Sequence, residues 1–190
     1  MIVFASSCIL FACNSSSNNG QDSVDSAQDV NDSVADAGKN NANNPALNDK
    51  TTDFATEAAD GGMMEVQLGK LAQQKAQSKS VKDFGTMMVD DHTKANDELK
   101  ALAGKKNVTL PAKIGDAHQK KYDDLSKKSG KDFDKAYINA MVDGHEAAVS
   151  DFKKQTDNSD ADVKEWVNKT LPALQMHLDS AKAIKKALKY

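Results

Sequence analysis

Four side chains able to exchange protons or hold a cation stand where aliphatic residues belong: Glu65, His92, His145 and His177. Glu65 interrupts the series Phe54, Ala58, Gly61, Glu65, Leu68, Ala72, and His92 interrupts Val81, Phe84, Met88, His92, Ala95, Leu99, Leu102. His145 falls in Ile138, Met141, His145, Ala148, Phe152. His177 falls in Val163, Val167, Thr170, Leu174, His177, Ala181, Ile184, Leu188. Steps of three and four place each series on one face of a helix, so each polar residue points where the apolar neighbours point. Burying one carboxylate and three imidazoles without partners costs several kcal/mol. They must satisfy one another, hold waters, or share a cation.

Two chemistries meet that demand. Three neutral imidazoles and one carboxylate form a coordination sphere for a single transition-metal ion, copper, zinc or iron. The same four groups can instead form a metal-free hydrogen-bonded layer that fixes helix register. Asp91, Asp143 and Glu146 lie close enough in sequence to orient imidazoles as outer acceptors, or to replace a ligand. Met64, Met88, Met141 and Met176 each fall within one helical turn of a layer residue. Their thioethers would favour copper, while the preferred reading of these residues is adaptable core filler.

The elements that position these groups follow from the same periodicity. Helices are predicted over 52–76, 80–104, 131–155 and from about 160 onward, with Ser80 and Ser159 as N-caps. A shorter one is predicted over 116–128, carrying His118, Tyr122 and Leu125 on one side; His118 there reads as a partly exposed amphipathic residue. Gly61, Gly62 and Gly69 lower helix propensity and so mark a close approach by a neighbouring helix, while Pro172 is placed to kink the last helix. The four polar residues lie some 12 to 17 positions from their predicted helix starts, about 18 to 26 Å along each axis at about 1.5 Å per residue. In a bundle such mid-helix positions meet in one layer whichever way each helix runs. Four long helices, one short one and no strand signal predict an all-α four-helix bundle; a three-plus-two orthogonal helical domain is the alternative.

Composition narrows the function classes. The chain has 190 residues with 25 basic and 28 acidic side chains, and every basic one is Lys. Without Arg there is no bidentate fork for phosphates or base edges, and at a net charge of -3 a nucleic-acid role is excluded as the working expectation. The lysine pairs 105–106, 127–128, 153–154 and 185–186 read as solvated helix faces, able to meet an anionic envelope surface or an envelope protein. No Ser-His-Asp order, phosphate-cradling glycine loop or reactive Cys is visible, so enzymatic hydrolysis or oxidation would have to run at a metal.

Residues 2–12 form a short apolar segment of the kind found in signal peptides. Leu10-Phe11-Ala12-Cys13 resembles the bacterial lipoprotein box, which implies cleavage after residue 12, lipidation of Cys13 and a membrane anchor; an ordinary secretory signal is the rival reading. Both cysteines lie in this segment, so residues 51–190, the expected bundle domain, hold no disulfide. Residues 14–50 carry six Asp against two Lys and no aromatic residue. A segment that buries so little apolar area cannot offset its ordering entropy, and 13–50 is expected to be a disordered polar tether.

Four ordered groups of residues carry a family resemblance: Glu65-Val66-Gln67-Leu68-Gly69-Lys70-Leu71-Ala72; Met88-Val89-Asp90-Asp91-His92 with Asn96 and Leu99; Gly130-Lys131-Asp132-Phe133-Asp134 with Tyr137, Met141, Val142 and His145; and Leu171-Pro172-Ala173-Leu174 with His177, Leu178 and Ala181. This set resembles uncharacterised ferritin-like bacterial envelope proteins, often described as predicted outer-membrane proteins with a domain of unknown function. The resemblance implies a ferritin-like helical bundle exported to the periplasm or outer membrane, and implies no activity. Ferritin-like di-iron sites carry Glu-x-x-His pairs. Here Val89, Val142 and Leu174 precede His92, His145 and His177 by three, so the expectation is one metal ion and no carboxylate-bridged di-iron centre.

Overall fold

The computed structural model describes residues 21–38 and 48–188, and every regular element among them is a helix. In chain order they are α1 (Ser23–Gly38), α2 (Asp49–Lys75), α3 (Lys79–Lys106), α4 (Asp116–Ser126), α5 (Gly130–Lys154) and α6 (Ala161–Leu188). The four long helices close a ring in which α2 packs on α3, α3 on α6, α6 on α5 and α5 on α2. The apolar series read from the sequence face inward: Leu68, Ala72, Val81, Met88, Met141, Val167 and Ala181 are fully buried.

Local chemistry sets the direction of each helix. Asn48 caps α2 by accepting from the Thr51 amide at 3.1 Å. Ser78 precedes α3 but makes no such side-chain bond. The turn before α3 is held instead from across the bundle, where the buried Asp134 carboxylate of α5 accepts from the Gln77 and Ser78 amides at 3.0 and 2.8 Å. Gly130, at φ +58°, pairs with Ala76, so α5 starts at the end of the bundle where α2 finishes. At the opposite end, Lys106 of α3 bonds Asp160 at 2.7 Å and Asp162 at 2.6 Å beside the start of α6. Neighbours in the ring are therefore antiparallel. The connection from α3 to α5 must run the length of the bundle, and α4 fills it, packed on α2 and α5.

The glycines divide in role. A Cβ at Gly69 would lie 2.6 Å from the Gly85 carbonyl oxygen, and one at Gly62 would lie 2.1 Å from Asn96 Oδ1, so both mark the close α2–α3 approach expected of them. Gly61 does not: a Cβ there meets nothing within 4 Å. Pro172 occupies an exposed position of α6, and the helix continues through it. Asp160, rather than Ser159, serves the start of α6, accepting from the Asp162 and Val163 amides at 3.1 Å each.

The largest departure is α1, which occupies 23–38 where the sequence reading places a disordered tether. Its anchor is polar. Asn31, 4% exposed, accepts from the Thr109 amide at 2.7 Å and donates to the Thr109 carbonyl at 3.0 Å. Asp22 accepts from the Asp116 amide at 2.7 Å, and Ser23 Oγ accepts from Ala112 N at 3.2 Å. An argument from apolar area alone misses a helix held by hydrogen bonds to the loop before α4. The leader over 1–12, Cys13 and residues 39–47 lie outside the described residues.

Candidate metal centre

Glu65, His92, His145 and His177 stand 13 to 16 residues into α2, α3, α5 and α6, one from each wall of the ring. The structure brings all four together. They are 7%, 5%, 0% and 1% exposed, and the three imidazole centroids are 5.3 to 5.6 Å apart. One ligand atom from each histidine lies within 4.8 Å of the other two. Among the described residues this is the one group of three or more His, Cys, Asp or Glu so placed.

Each ring uses one nitrogen outward and keeps the other free. His92 Nδ1 lies 3.0 Å from Glu65 Oε2. His145 Nδ1 is 2.9 Å from the Met141 carbonyl oxygen and 3.4 Å from Glu65 Oε1. His177 Nε2 is 2.8 Å from Asp91 Oδ2. All three outward partners are acceptors, so the neutral rings carry their protons on those nitrogens. The remaining atoms, His92 Nε2, His145 Nε2 and His177 Nδ1, are buried without a hydrogen-bond partner. In the neutral rings these three buried nitrogens carry lone pairs, a set that a Lewis acid fits and a further acceptor does not.

Glu65 therefore stands behind two of the rings. The sequence reading places it among the metal ligands; the structure gives it the part of a carboxylate that orients imidazoles, because its oxygens face the proton-bearing nitrogens. Burial would raise its carboxyl, but His92 and His145 outweigh that and hold it down at about 2. Burial lowers His92, and the facing Glu65 overrides this and raises it. Burial pushes His177 down to about 4 against the hydrogen bond to Asp91, which keeps this ring neutral at pH 7.

Of the three flanking acids, only Asp91 reaches an imidazole. Asp143 is exposed and reaches no imidazole, and Glu146 turns outward to Lys182 at 2.7 Å, because one and two steps from an inward residue rotate a helical side chain out of the apolar stripe. Met64, Met88 and Met141 are buried core residues, Met141 contributing its backbone carbonyl to His145, whereas Met176 is 44% exposed. His118 is more than an amphipathic surface residue: its Nδ1 lies 2.7 Å from Asp60 Oδ2, an ion-pair contact without good hydrogen-bond direction, and Asp60 also accepts from Gly115 N at 2.8 Å.

Several buried polar groups escape the sequence reading. Tyr137 is fully buried with an unpartnered hydroxyl, and burial together with Glu65 pushes it far above its ordinary value. Trp166 keeps its indole N–H buried and unpartnered within the aromatic cluster Phe54–Phe152–Trp166, whose centroids are 5.0 to 6.2 Å apart. Nothing in sequence marks these as polar sites. Asp134 is different, since the spacing 134, 138, 141, 145 puts it on the buried face of α5 and would have identified it.

Residues 36–184 match the model of a family described as a domain of unknown function (DUF4142). No curated protein sequence matches the chain. Among solved structures the fold is similar to the crystal structure of a DUF305 fragment from Deinococcus radiodurans, at a TM-score of 0.66 and 12% identity, covering 75% of this chain and 99% of that one. It is also similar to CopM in the Cu(II)-bound form, at a TM-score of 0.62 and 16% identity, covering 72% of this chain and 96% of CopM. CopM in the Cu(I)-bound form gives 0.61 at the same identity and coverage. At these identities the likeness is one of fold.

Proposed function

The chain belongs to the DUF4142 family, whose description carries no activity, and from the geometry of its polar layer we propose that it binds one transition-metal ion through His92, His145 and His177. The observation that carries this reading is the set of three buried imidazole nitrogens without partners, each opposite a nitrogen committed to an acceptor. Glu65 and Asp91 would hold the rings in the neutral tautomers that bind a cation. Copper is favoured among copper, zinc and iron by the fold it shares with CopM, a protein solved with Cu(II) and with Cu(I) bound. The bundle is ferritin-like in having one long crossover between antiparallel helical hairpins, without the Glu-x-x-His pairs of a di-iron site.

In this reading the domain acts in the cell envelope as a metal buffer or stress protein, tied to a bacterial membrane by lipidated Cys13. Mass spectrometry of the mature N-terminus tests the anchor: acylated Cys13 is expected, and an unlipidated start elsewhere removes it. Elemental analysis and calorimetric titration with zinc, copper and iron test the site. Wild-type protein should bind one ion tighter than micromolar, and His92→Ala/His145→Ala should lose it. If no ion binds that tightly, or binding ignores both substitutions, the proposal fails. A metal-free layer that fixes helix register is the second reading, favoured by the His92–Glu65 ion pair, which partners the carboxylate and one nitrogen of His92 without an ion.

A further inference from the structure

One cavity in the bundle reaches the polar layer. It has a volume of about 440 Å³, and its walls include Glu65 and His92 as well as Glu57, Asp60, Asp143 and Asp151. Glu57 and Asp143 are exposed and Asp151 is half-buried, so the cavity joins the surface between α2 and α5 to the floor formed by the layer. His92 is 5% exposed, and its unpartnered Nε2 lies buried behind the cavity wall. We infer that this cavity is the entrance through which a metal cation reaches the histidine triad.

The entrance presupposes the metal-binding reading above and is supported by two features independent of it. First, small residues create the opening. A Cβ at Gly61 would meet nothing within 4 Å, and one at Gly144 only Glu65 Oε1 at 3.9 Å. Both are helical glycines, which lower helix propensity relative to Ala, and neither is required by packing. Second, the mouth carries the sign a cation needs. Carboxylates outnumber the cations there: Lys121 lines the wall, Lys154 pairs with Asp151 at 2.6 Å, and His118 faces Asp60. Burial, Asp151 and Asp53 raise the Glu57 carboxyl, as expected where negative charges crowd. Such a mouth concentrates cations and speeds their capture at low salt.

Gly61 offers a direct test on the full chain, because it lines the cavity and a Cβ there meets nothing within 4 Å. Trp166 is the sole tryptophan and lines the same cavity, so quenching of its emission by Cu(II) follows arrival of the ion in stopped flow. Gly61→Leu and Gly61→Phe should slow Cu(II) association at least tenfold and slow release by chelator to match, leaving Kd within threefold of wild type. Gly61→Ala, too small to obstruct, should behave as wild type. Glu57→Gln/Asp143→Asn should lower the association rate severalfold and flatten its salt dependence. Wild-type rates in the Leu and Phe variants overturn the entrance alone. Slower association with a matching loss of affinity also overturns it, since the triad itself would then be disturbed. Absence of any Cu(II) binding by the wild-type chain overturns the triad reading first and the entrance with it.

Discussion

Replacing Asp91 by Ala separates a group that tunes an ion site from one that holds the fold together. Its carboxylate accepts from His177 Nε2 at 2.8 Å and so keeps Nδ1 bare toward the other two imidazoles. Loss of such an outer partner costs about 10- to 100-fold in metal affinity, equivalent to about 1.4 to 2.7 kcal/mol at 1.36 kcal/mol per decade. The apo protein should hardly notice. The side chain is 42% exposed, so water takes its place beside His177, and the change in stability should stay within about 1 kcal/mol. For a domain of this size that is a melting shift of no more than about 4 °C.

The two effects are read in one set of experiments. Calorimetry with Cu(II) gives the affinity, and thermal melts with chelator and with ion give both stabilities. At an ion concentration of about 100 times the wild-type Kd, binding stabilises wild type by about 2.7 kcal/mol; tenfold or hundredfold weaker binding leaves about 1.4 or 0.4 kcal/mol. Unchanged affinity in Asp91→Ala would refute the idea that Asp91 sets the His177 tautomer. A fall of 10 °C or more in the chelated melt, with affinity intact, would make Asp91 a structural residue instead.

Three further outcomes are expected. Glu65→Ala leaves two buried imidazoles without their shared acceptor and should cost about 3 to 5 kcal/mol in urea denaturation of the apo protein; a loss under 1 kcal/mol would contradict the placement of Glu65 behind the rings. In the apo protein His177 resists protonation until about pH 4, while the unfolded chain takes its proton near 6.5, so this group removes stability as pH falls through that window. Glu65 works lower, its contribution present above about 4.5 and lost as pH falls toward 2, and the raised His92 contributes fully below 6.5 and loses its contribution as pH rises through its folded value. His177→Gln should therefore flatten the fall of the urea midpoint between pH 6.5 and 4, and an unaltered profile would count against burial of a neutral ring. Asn31→Ala removes both bonds to Thr109 and should release α1, seen as rapid proteolysis near residue 31 and loss of amide protection there, with the melting of the four long helices little changed.

The four long helices and the polar layer were legible because both depend on one periodicity. An inward position recurs every three or four residues, and Glu65, His92, His145 and His177 break the apolar pattern at matching depths. What periodicity cannot supply is the direction in which a carboxylate points once it is inside. Glu65 lies on the expected face yet meets the proton-bearing side of two rings. Glu146 and Asp143, adjacent in sequence to inward residues, are exposed and reach no imidazole. The helix α1 was hidden for another reason: its docking runs through Asn31 and Asp22 to backbone groups some 80 and 90 residues later, and no local pattern records such a pairing. The opening between α2 and α5 is likewise a property of what Gly61 does not touch.

The long crossover divides the polar layer between two stretches of chain. Glu65 and His92 belong to the hairpin made first, and His145 and His177 to the hairpin made last. During synthesis, which proceeds from the N-terminus at roughly 5 to 20 residues per second, the early hairpin has one carboxylate, one imidazole and no third nitrogen to offer. Only a polypeptide made as far as α6 can close the triad. A cation captured there would rivet the beginning of the domain to its end, so that pulling either hairpin away from the other means tearing out a ligand before any core residue is exposed.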